Sequence, residues 1–111
     1  MEAQRLGSQR SVTFCLLKLA AIDLELGDLN RAADTIKACS ESIARFQDRV
    51  YIAVMHHTAA QLELKRGHRF AAYENLIKAI DLFERLGMRR ELAEARGELR
   101  RIEEMGEAPA A

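Results

Sequence analysis

The sequence has very little proline, few aromatic residues and no tryptophan, and each shortage limits the fold. Its single proline is Pro109, so no proline interrupts a helix before the last residues. Aromatic side chains make up 5% of the chain, and Val, Ile and Thr are too sparse to favour a β-sheet. Ala and Leu are abundant instead, and both residues favour closely packed helices. The composition therefore predicts an all-α protein.

The sequence also lacks an excess of charge, a long apolar run and a cysteine framework. Seventeen basic and seventeen acidic side chains cancel, which argues against nucleic-acid or membrane binding driven by net charge. No apolar run approaches the ~20 residues of a spanning helix. Cys15 and Cys39 are the only cysteines, no signal peptide precedes them, and both fall at apolar helix positions. We expect reduced core thiols in a cytoplasmic protein.

What the sequence does contain is an internal repeat. Residues 24–33, LELGDLNRAA, return about forty positions later as residues 64–73, LKRGHRFAAY. Glycine suits the position after a helix because the closing residue commonly needs a positive φ. Gly27 and Gly67 are therefore predicted to form the turn between two helices in each unit.

Shifting the sequence by forty residues aligns apolar positions in columns spaced by three or four, as on one face of an α-helix. In the first helix of the unit the columns are Val12/Ile52/Leu92, Cys15/Met55/Ala95, Leu19/Ala59/Leu99 and Ile22/Leu62/Ile102. In the second helix they are Ala32/Ala72, Ile36/Leu76, Cys39/Ala79, Ser40/Ile80 and Ile43/Phe83. Both helices of the unit are predicted to be amphipathic.

The repeat predicts one domain over residues 1–105, followed by a flexible tail over 106–111. Asp28 and Asp48 stand where N-caps or first-turn acids belong. The predicted helices cover about residues 9–26, 29–46, 49–66, 69–86 and 89–105, which make units 9–46 and 49–86 and a half unit 89–105. Links of two or three residues make consecutive helices antiparallel neighbours. We expect the units to stack as a right-handed solenoid.

The segments 19–32 and 83–95 resemble tetratricopeptide repeats, in the longer variant with a period near forty. That variant is found in large bacterial transcription regulators, signalling ATPases and cyclases. The matching positions are the turn glycines, the small residues Ala32 and Ala72, and the bulky residues Ile36 and Leu76. The chain departs from the family's pattern where an aromatic residue, a tyrosine and a closing proline are usual.

The resemblance implies that the first helices of the units line a binding groove. The matching positions are Phe14, Leu17, Ala21, Val54, His57, Gln61, Glu94, Gly97 and Arg101. The Lys/Asn clamp by which some family members grip a C-terminal carboxylate is missing here, because Leu17 and Ala21 occupy its place. A partner helix or an extended apolar peptide is the expected ligand.

Catalytic and metal chemistry find little support in the sequence. His56 and His57 are adjacent, so on a helix they point about 100° apart and cannot chelate one ion together. His68 lies at the turn, and no cysteine or carboxylate completes a zinc spacing. The chain has no phosphate loop, no nucleophile elbow and no Cys/His pair. We expect no enzyme activity, no metal site and no cofactor.

A basic last helix is the one feature that favours nucleic acid. Its arginines are Arg89, Arg90, Arg96, Arg100 and Arg101, and glutamates interleave with them at positions 91, 94, 98, 103 and 104. Alternating signs at helical spacing are typical of a solvated terminal helix. The sequence therefore favours a non-catalytic protein-interaction module, with a DNA- or effector-binding regulatory domain as the alternative.

Residues 12–26 are apolar on nearly every side, which predicts a further contact. With few residues before it to cover this helix, Phe14, Leu16 and Leu17 are expected to lie exposed in a monomer. Two alternatives would bury these side chains: a second copy in a twofold homodimer, or a preceding repeat if the chain is part of a longer array. The homodimer is the expectation for the isolated chain.

Overall fold

In the computed structural model the backbone is described for residues 2–106 and the side chains for 8–105. Between residues 2 and 106 the chain forms α-helices and no strand. The helices are α1 Glu2–Leu26, α2 Leu29–Phe46, α3 Arg49–Lys65, α4 Arg69–Leu86 and α5 Arg89–Gly106. The predicted all-α class with packed neighbouring helices is confirmed.

The first helix is longer than predicted, because it begins at Glu2 and not near residue 9. Gly7 lies inside the helix, although its repeat column is a turn in the other units. One glycine inside a helix costs about 1 kcal/mol relative to alanine, which does not end a long helix of good helix formers. At the other end α5 includes Gly106. The rest of the predicted tail, 107–111, lies outside the described residues.

The turns between helices use the glycines that the repeat predicted. Gly27 and Gly67 have φ angles of +79° and +81°, which confirms their left-handed geometry. The amide of Asp28 donates to the carbonyl of Asp23 at 2.9 Å, and His68 donates to Glu63 at 2.8 Å. These bonds satisfy the last carbonyls of each helix, as in a Schellman motif.

The predicted N-caps are also confirmed. Asp28 Oδ1 accepts from the amide of Arg31 at 3.1 Å, and Asp48 Oδ1 accepts from the amide of Val50 at 2.9 Å. Each carboxylate satisfies an amide that has no partner inside its own helix. The links therefore stay at two or three residues, which holds consecutive helices antiparallel and in contact.

Alanine sets the packing between helices. Ala20, Ala32, Ala53, Ala72 and Ala79 have no exposed surface, which lets helix backbones approach closely. The largest buried cluster surrounds Phe83, and it joins α3, α4 and α5. Smaller clusters join α1, α2 and α3. The result is an elongated stack of 60 × 31 × 19 Å.

The apolar column Ile22/Leu62/Ile102 of the first helix in each unit is buried by neighbouring helices in α3 and α5 but exposed to solvent in α1. Leu62 and Ile102 are 4% and 5% exposed, whereas their counterpart Ile22 is 50% exposed. The reason is that α2 packs on α3 and α4 packs on α5, while no described helix precedes α1. The expectation that Cys15 is a core thiol is therefore wrong, because Cys15 lies on the same face of α1 as Ile22 and is exposed.

The expected exposure around Phe14 also needs correction. Phe14 is 51% exposed as expected, but Leu17 is only 7% exposed and packs with Cys39 and Ile43. Leu16 is half-buried. Leu17 is buried because it points between α2 and α3. The open apolar face of α1 therefore lies elsewhere on the helix.

Candidate partner-binding groove

A groove runs along one side of the stack, formed by α1, α3 and α5. We call it the α1/α3/α5 groove. Its first part is a cavity of about 290 Å³, mostly apolar, between α1 and α3. The side chains that line this part are Phe14, Leu17, Lys18, Ala21, Val50, Tyr51, Val54 and Thr58. Phe14 and Val50 are 51% and 42% exposed, so two large apolar side chains face the solvent on opposite walls.

The second part of the groove is more polar than the first. It shares Ala21 with the first part and has a volume of about 390 Å³. Its lining consists of Ala21, Leu24, Glu25, Gln61, Leu64, Lys65 and Glu98. The groove therefore changes along its length from apolar walls to carboxylates, an amide and one ammonium group.

The structure brings together five of the residues that the resemblance implied for the groove: Phe14, Leu17, Ala21, Val54 and Gln61. The other four, His57, Glu94, Gly97 and Arg101, do not line these two cavities. His57 is 8% exposed and lies beneath the groove. Glu94 is exposed and pairs with Arg90 at 3.7 Å. Arg101 is exposed, and its Nε donates to the carbonyl of Gly97 at 3.4 Å.

Sequence reasoning missed one complete repeat column of the groove: Lys18, Thr58 and Glu98 all line it. The true groove face of α1 is Phe14-Lys18-Ala21, with spacings of four and three, as expected for one face of a helix. The predicted face used Leu17 in place of Lys18. Leu17 is 7% exposed and points largely inward, whereas the Lys18 side chain is exposed to solvent and lines the cavity. The helical spacing from Phe14 does not separate the two residues, because i+3 and i+4 both lie on the same face of a helix.

His57 and Glu98 join α3 to α5 at the polar end of the groove. His57 Nε2 lies 2.9 Å from Glu98 Oε2, and the amide of Gln61 donates to the other carboxylate oxygen at 3.4 Å. The ring of His57 packs edge-on against Phe83, with centroids 5.7 Å apart. A charge-assisted hydrogen bond of this kind orients both partners. Glu98 is therefore held in place by two side chains of α3.

The environment of Glu98 lowers the pKa of its carboxyl group. Burial alone raises this pKa, but the hydrogen bond and charge of His57, the amide of Gln61 and the charge of Arg101 lower it more. The folded protein thus favours the ionised carboxylate more than the unfolded chain does. By linkage, this contribution to stability is present above the ordinary pKa of a glutamate, and it is lost as pH falls through the lower folded pKa.

We predict that the Glu98→Gln variant differs from the parent in a pH-dependent way. The parent should be more stable at neutral pH, and the difference should shrink as the solution is acidified through the pKa of Glu98. Urea unfolding at a series of pH values measures it. Glu94→Gln, on the exposed face of α5, is the matched control and should show no such trend. A difference that stays constant with pH would contradict the assignment.

The three histidines have separate partners. His56 Nδ1 lies 3.1 Å from Asn75 Oδ1, and His68 Nδ1 lies 2.7 Å from Glu63 Oε2 at the turn between α3 and α4. His57 is engaged with Glu98. Across the described residues, no group of three His, Cys, Asp or Glu side chains is placed to hold a metal ion.

The two thiols are free, and they differ in surroundings. Burial raises the pKa of the Cys39 thiol to about 11, so this thiol stays protonated at neutral pH and does not act as a nucleophile. Cys15 is exposed on α1. No helix within residues 2–106 has the length and apolar character needed to cross a bilayer.

Two of the arginines of α5 form ion pairs. Arg96 lies 2.9 Å from Glu84 and Arg90 lies 3.7 Å from Glu94. These pairs are exposed and contribute little to stability, but they neutralise part of the basic surface.

No protein-family model matches the chain, and no curated protein or solved structure matches it either.

Proposed function

We propose that the chain is a non-catalytic protein-interaction module of the tetratricopeptide type, which binds a partner helix or an apolar peptide in the α1/α3/α5 groove. The observation that carries the proposal is the pair Phe14 and Val50, which expose large apolar surfaces on the two walls of one groove. Apolar surface kept in contact with water marks a binding site. An apolar groove between two helices is the kind of surface that takes the apolar side of a helix or an extended segment.

The polar end of the groove supports the same proposal. Lys65 and Glu25 are exposed charged side chains there, whereas Glu98 is held by His57 and Gln61. A ligand with apolar side chains at one end and polar groups at the other matches this gradient. The hydrogen bonds to Glu98 orient a fixed acceptor before the ligand arrives, which lowers the entropic cost of binding.

The experiment is selection of amphipathic helical peptides from a displayed library against the purified protein. We expect selected peptides to shift the backbone amide NMR signals of Phe14, Val50 and Val54. Val50→Glu should weaken their binding at least tenfold, because it places a charge in the apolar end. Leu19→Glu is the matched control, since Leu19 is exposed on another face of α1, and it should bind normally. Peptides that map away from the groove would refute the proposal.

The alternative is a DNA- or effector-binding regulatory domain of a bacterial transcription or signalling protein. This alternative depends on the exposed arginines of α5. The ion pairs of Arg90 and Arg96 with glutamates weaken the case for DNA binding, because they neutralise two of these charges. Affinity for DNA that falls steeply with added salt would favour it, and absence of binding at low salt would remove it. The free thiols fit the further proposal that the protein works in the reducing cytoplasm.

A further inference from the structure

The open apolar stripe of α1 is a second surface, distinct from the groove. We define the α1 stripe as Val12, Cys15, Leu19, Ile22 and Leu26, which follow each other at spacings of three and four. Every member is exposed, and Leu26 reaches 76%. Phe14, by contrast, belongs to the groove on another face of the helix. The stripe is about 21 Å long at 1.5 Å per residue.

The repeat itself shows that this stripe is built to be covered. The columns of Val12, Cys15, Leu19 and Ile22 are half-buried or buried in α3 and α5, where the preceding helices α2 and α4 pack on them. Leu26 differs, because its counterpart in the second unit is the exposed Arg66. In α1 the same kind of apolar side chain occupies the columns, but no described helix lies against them. Four large apolar side chains in a row on a solvated helix are characteristic of an interface.

The opposite end of the stack does not offer a matching surface. In α3, Ala53, Ala60 and Leu64 face α4, and their repeat counterparts in α5 are Ala93, Arg100 and Glu104. All three counterparts are exposed, and two are charged. A second copy stacked head to tail would place the α1 stripe against this charged face. The head-to-tail arrangement therefore offers the stripe no apolar match on α5.

A rival apolar patch lies on α4, where Phe70, Tyr73 and Ile77 are exposed. Arg69 and Glu103 border it, so contact with the α1 stripe would bury two charges. Such a contact is also heterologous, and repeated contacts of that kind lead to filaments rather than closed dimers. An α1–α1 contact is isologous and closes after two copies.

We propose that the α1 stripe is the interface of a twofold homodimer, in which two α1 helices pack antiparallel about Leu19. The stripe is nearly symmetric about this residue, since Val12 and Leu26 each lie seven positions away. A twofold axis beside Leu19 therefore sets the two Leu19 side chains together and Val12 opposite Leu26 of the second copy. This proposal is independent of the groove and of its ligand.

One further feature fits the antiparallel arrangement. A cavity of about 510 Å³ beside Val12, formed with Leu16 and Ala38 and bordered by Glu41 and Arg45, lies open on the same side, and it receives Leu26 of the second copy.

Two helices of this length bury an area at the low end of specific interfaces, below about 1,200 Å², so a micromolar dimer is expected. The test is sedimentation equilibrium of the full chain from about 1 to 500 μM, a range that brackets such an affinity. The parent should pass from monomer to dimer. Leu19→Glu should stay monomeric, and Phe14→Glu should dimerise like the parent.

The two variants are closely matched, because Leu19 and Phe14 lie on the same helix and are 47% and 51% exposed. Neither substitution buries a charge in the monomer, so circular dichroism at low concentration should show an unchanged fold for both. A parent that remains monomeric throughout, or a dimer that survives Leu19→Glu, would overturn the proposal. Polymers larger than a dimer that Phe70→Glu dissociates would overturn it in favour of head-to-tail contact.

A crosslink tests the register. With Cys15 replaced by Ser, Leu19→Cys should form an intermolecular disulfide when the protein is oxidised with diamide, because the two residues meet at the twofold axis. Phe14→Cys in the same background is the control and should not crosslink. Cys39 does not interfere because it is fully buried. Crosslinking through residue 14 instead of residue 19 would overturn the proposed face.

Discussion

Phe83→Ala should lower the free energy of unfolding by about 3–5 kcal/mol, the usual cost of removing a buried phenylalanine side chain. Phe83 has no exposed surface and is the largest side chain that is fully buried. It packs with residues of α3 and α5 and against the ring of His57. Its loss therefore leaves a cavity at the point where three helices meet, and the α-helical backbones around it cannot collapse fully.

Urea denaturation followed by circular dichroism measures this effect, at one protein concentration so that self-association does not alter the comparison. Phe70→Ala is the control, because Phe70 is 75% exposed on the same helix, and its free energy of unfolding should change by less than about 0.5 kcal/mol. Equal effects of the two substitutions would mean that Phe83 is not the centre of the core.

Ala72→Leu should destabilise the protein by roughly 1–3 kcal/mol through overpacking. Ala72 is fully buried in the cluster of α3, α4 and α5, at the column that Ala32 occupies in the first unit. A leucine at this position has no room unless the helices move apart, which in turn loosens their contacts. The same urea experiment measures the change.

Ala44→Leu is the matched control for this overpacking, since Ala44 is exposed on α2 and leucine is a good helix former. Its stability should equal that of the parent within experimental error. If Ala72→Leu were as stable as the parent, the helices would not cross closely at this column. The assignment of Ala32 and Ala72 to the helix crossing would then be wrong.

The period of forty residues was enough to predict most of the fold. Gly27 and Gly67 mark turns because few other residues tolerate a positive φ, and Asp28 and Asp48 mark helix starts because their side chains bind free amides. These are local effects that depend on a few neighbouring residues. For that reason the helix bounds after residue 26 agree with the sequence analysis to within about one residue.

The groove was predicted less completely, because it depends on which side of each helix meets its neighbours. Phe14, Ala21, Val54 and Gln61 line the two cavities, and so do Lys18 and Glu98, which the sequence analysis did not select. An apolar residue such as Leu17 fits either a groove or a core in the sequence. Contact with Cys39 and Ile43 decides that it belongs largely to the core.

The sequence by itself determined the helical class, the repeat, the turns and the small residues at the helix crossings, since each follows from local backbone preference or from periodic burial. Only the tertiary structure decided which apolar columns are covered. The same column is buried in α3 and open in α1 because burial depends on a preceding helix, and α2 precedes α3 whereas no described helix precedes α1. Similar apolar side chains are therefore buried in one unit and exposed in another, and the number of neighbouring helices is the physical reason.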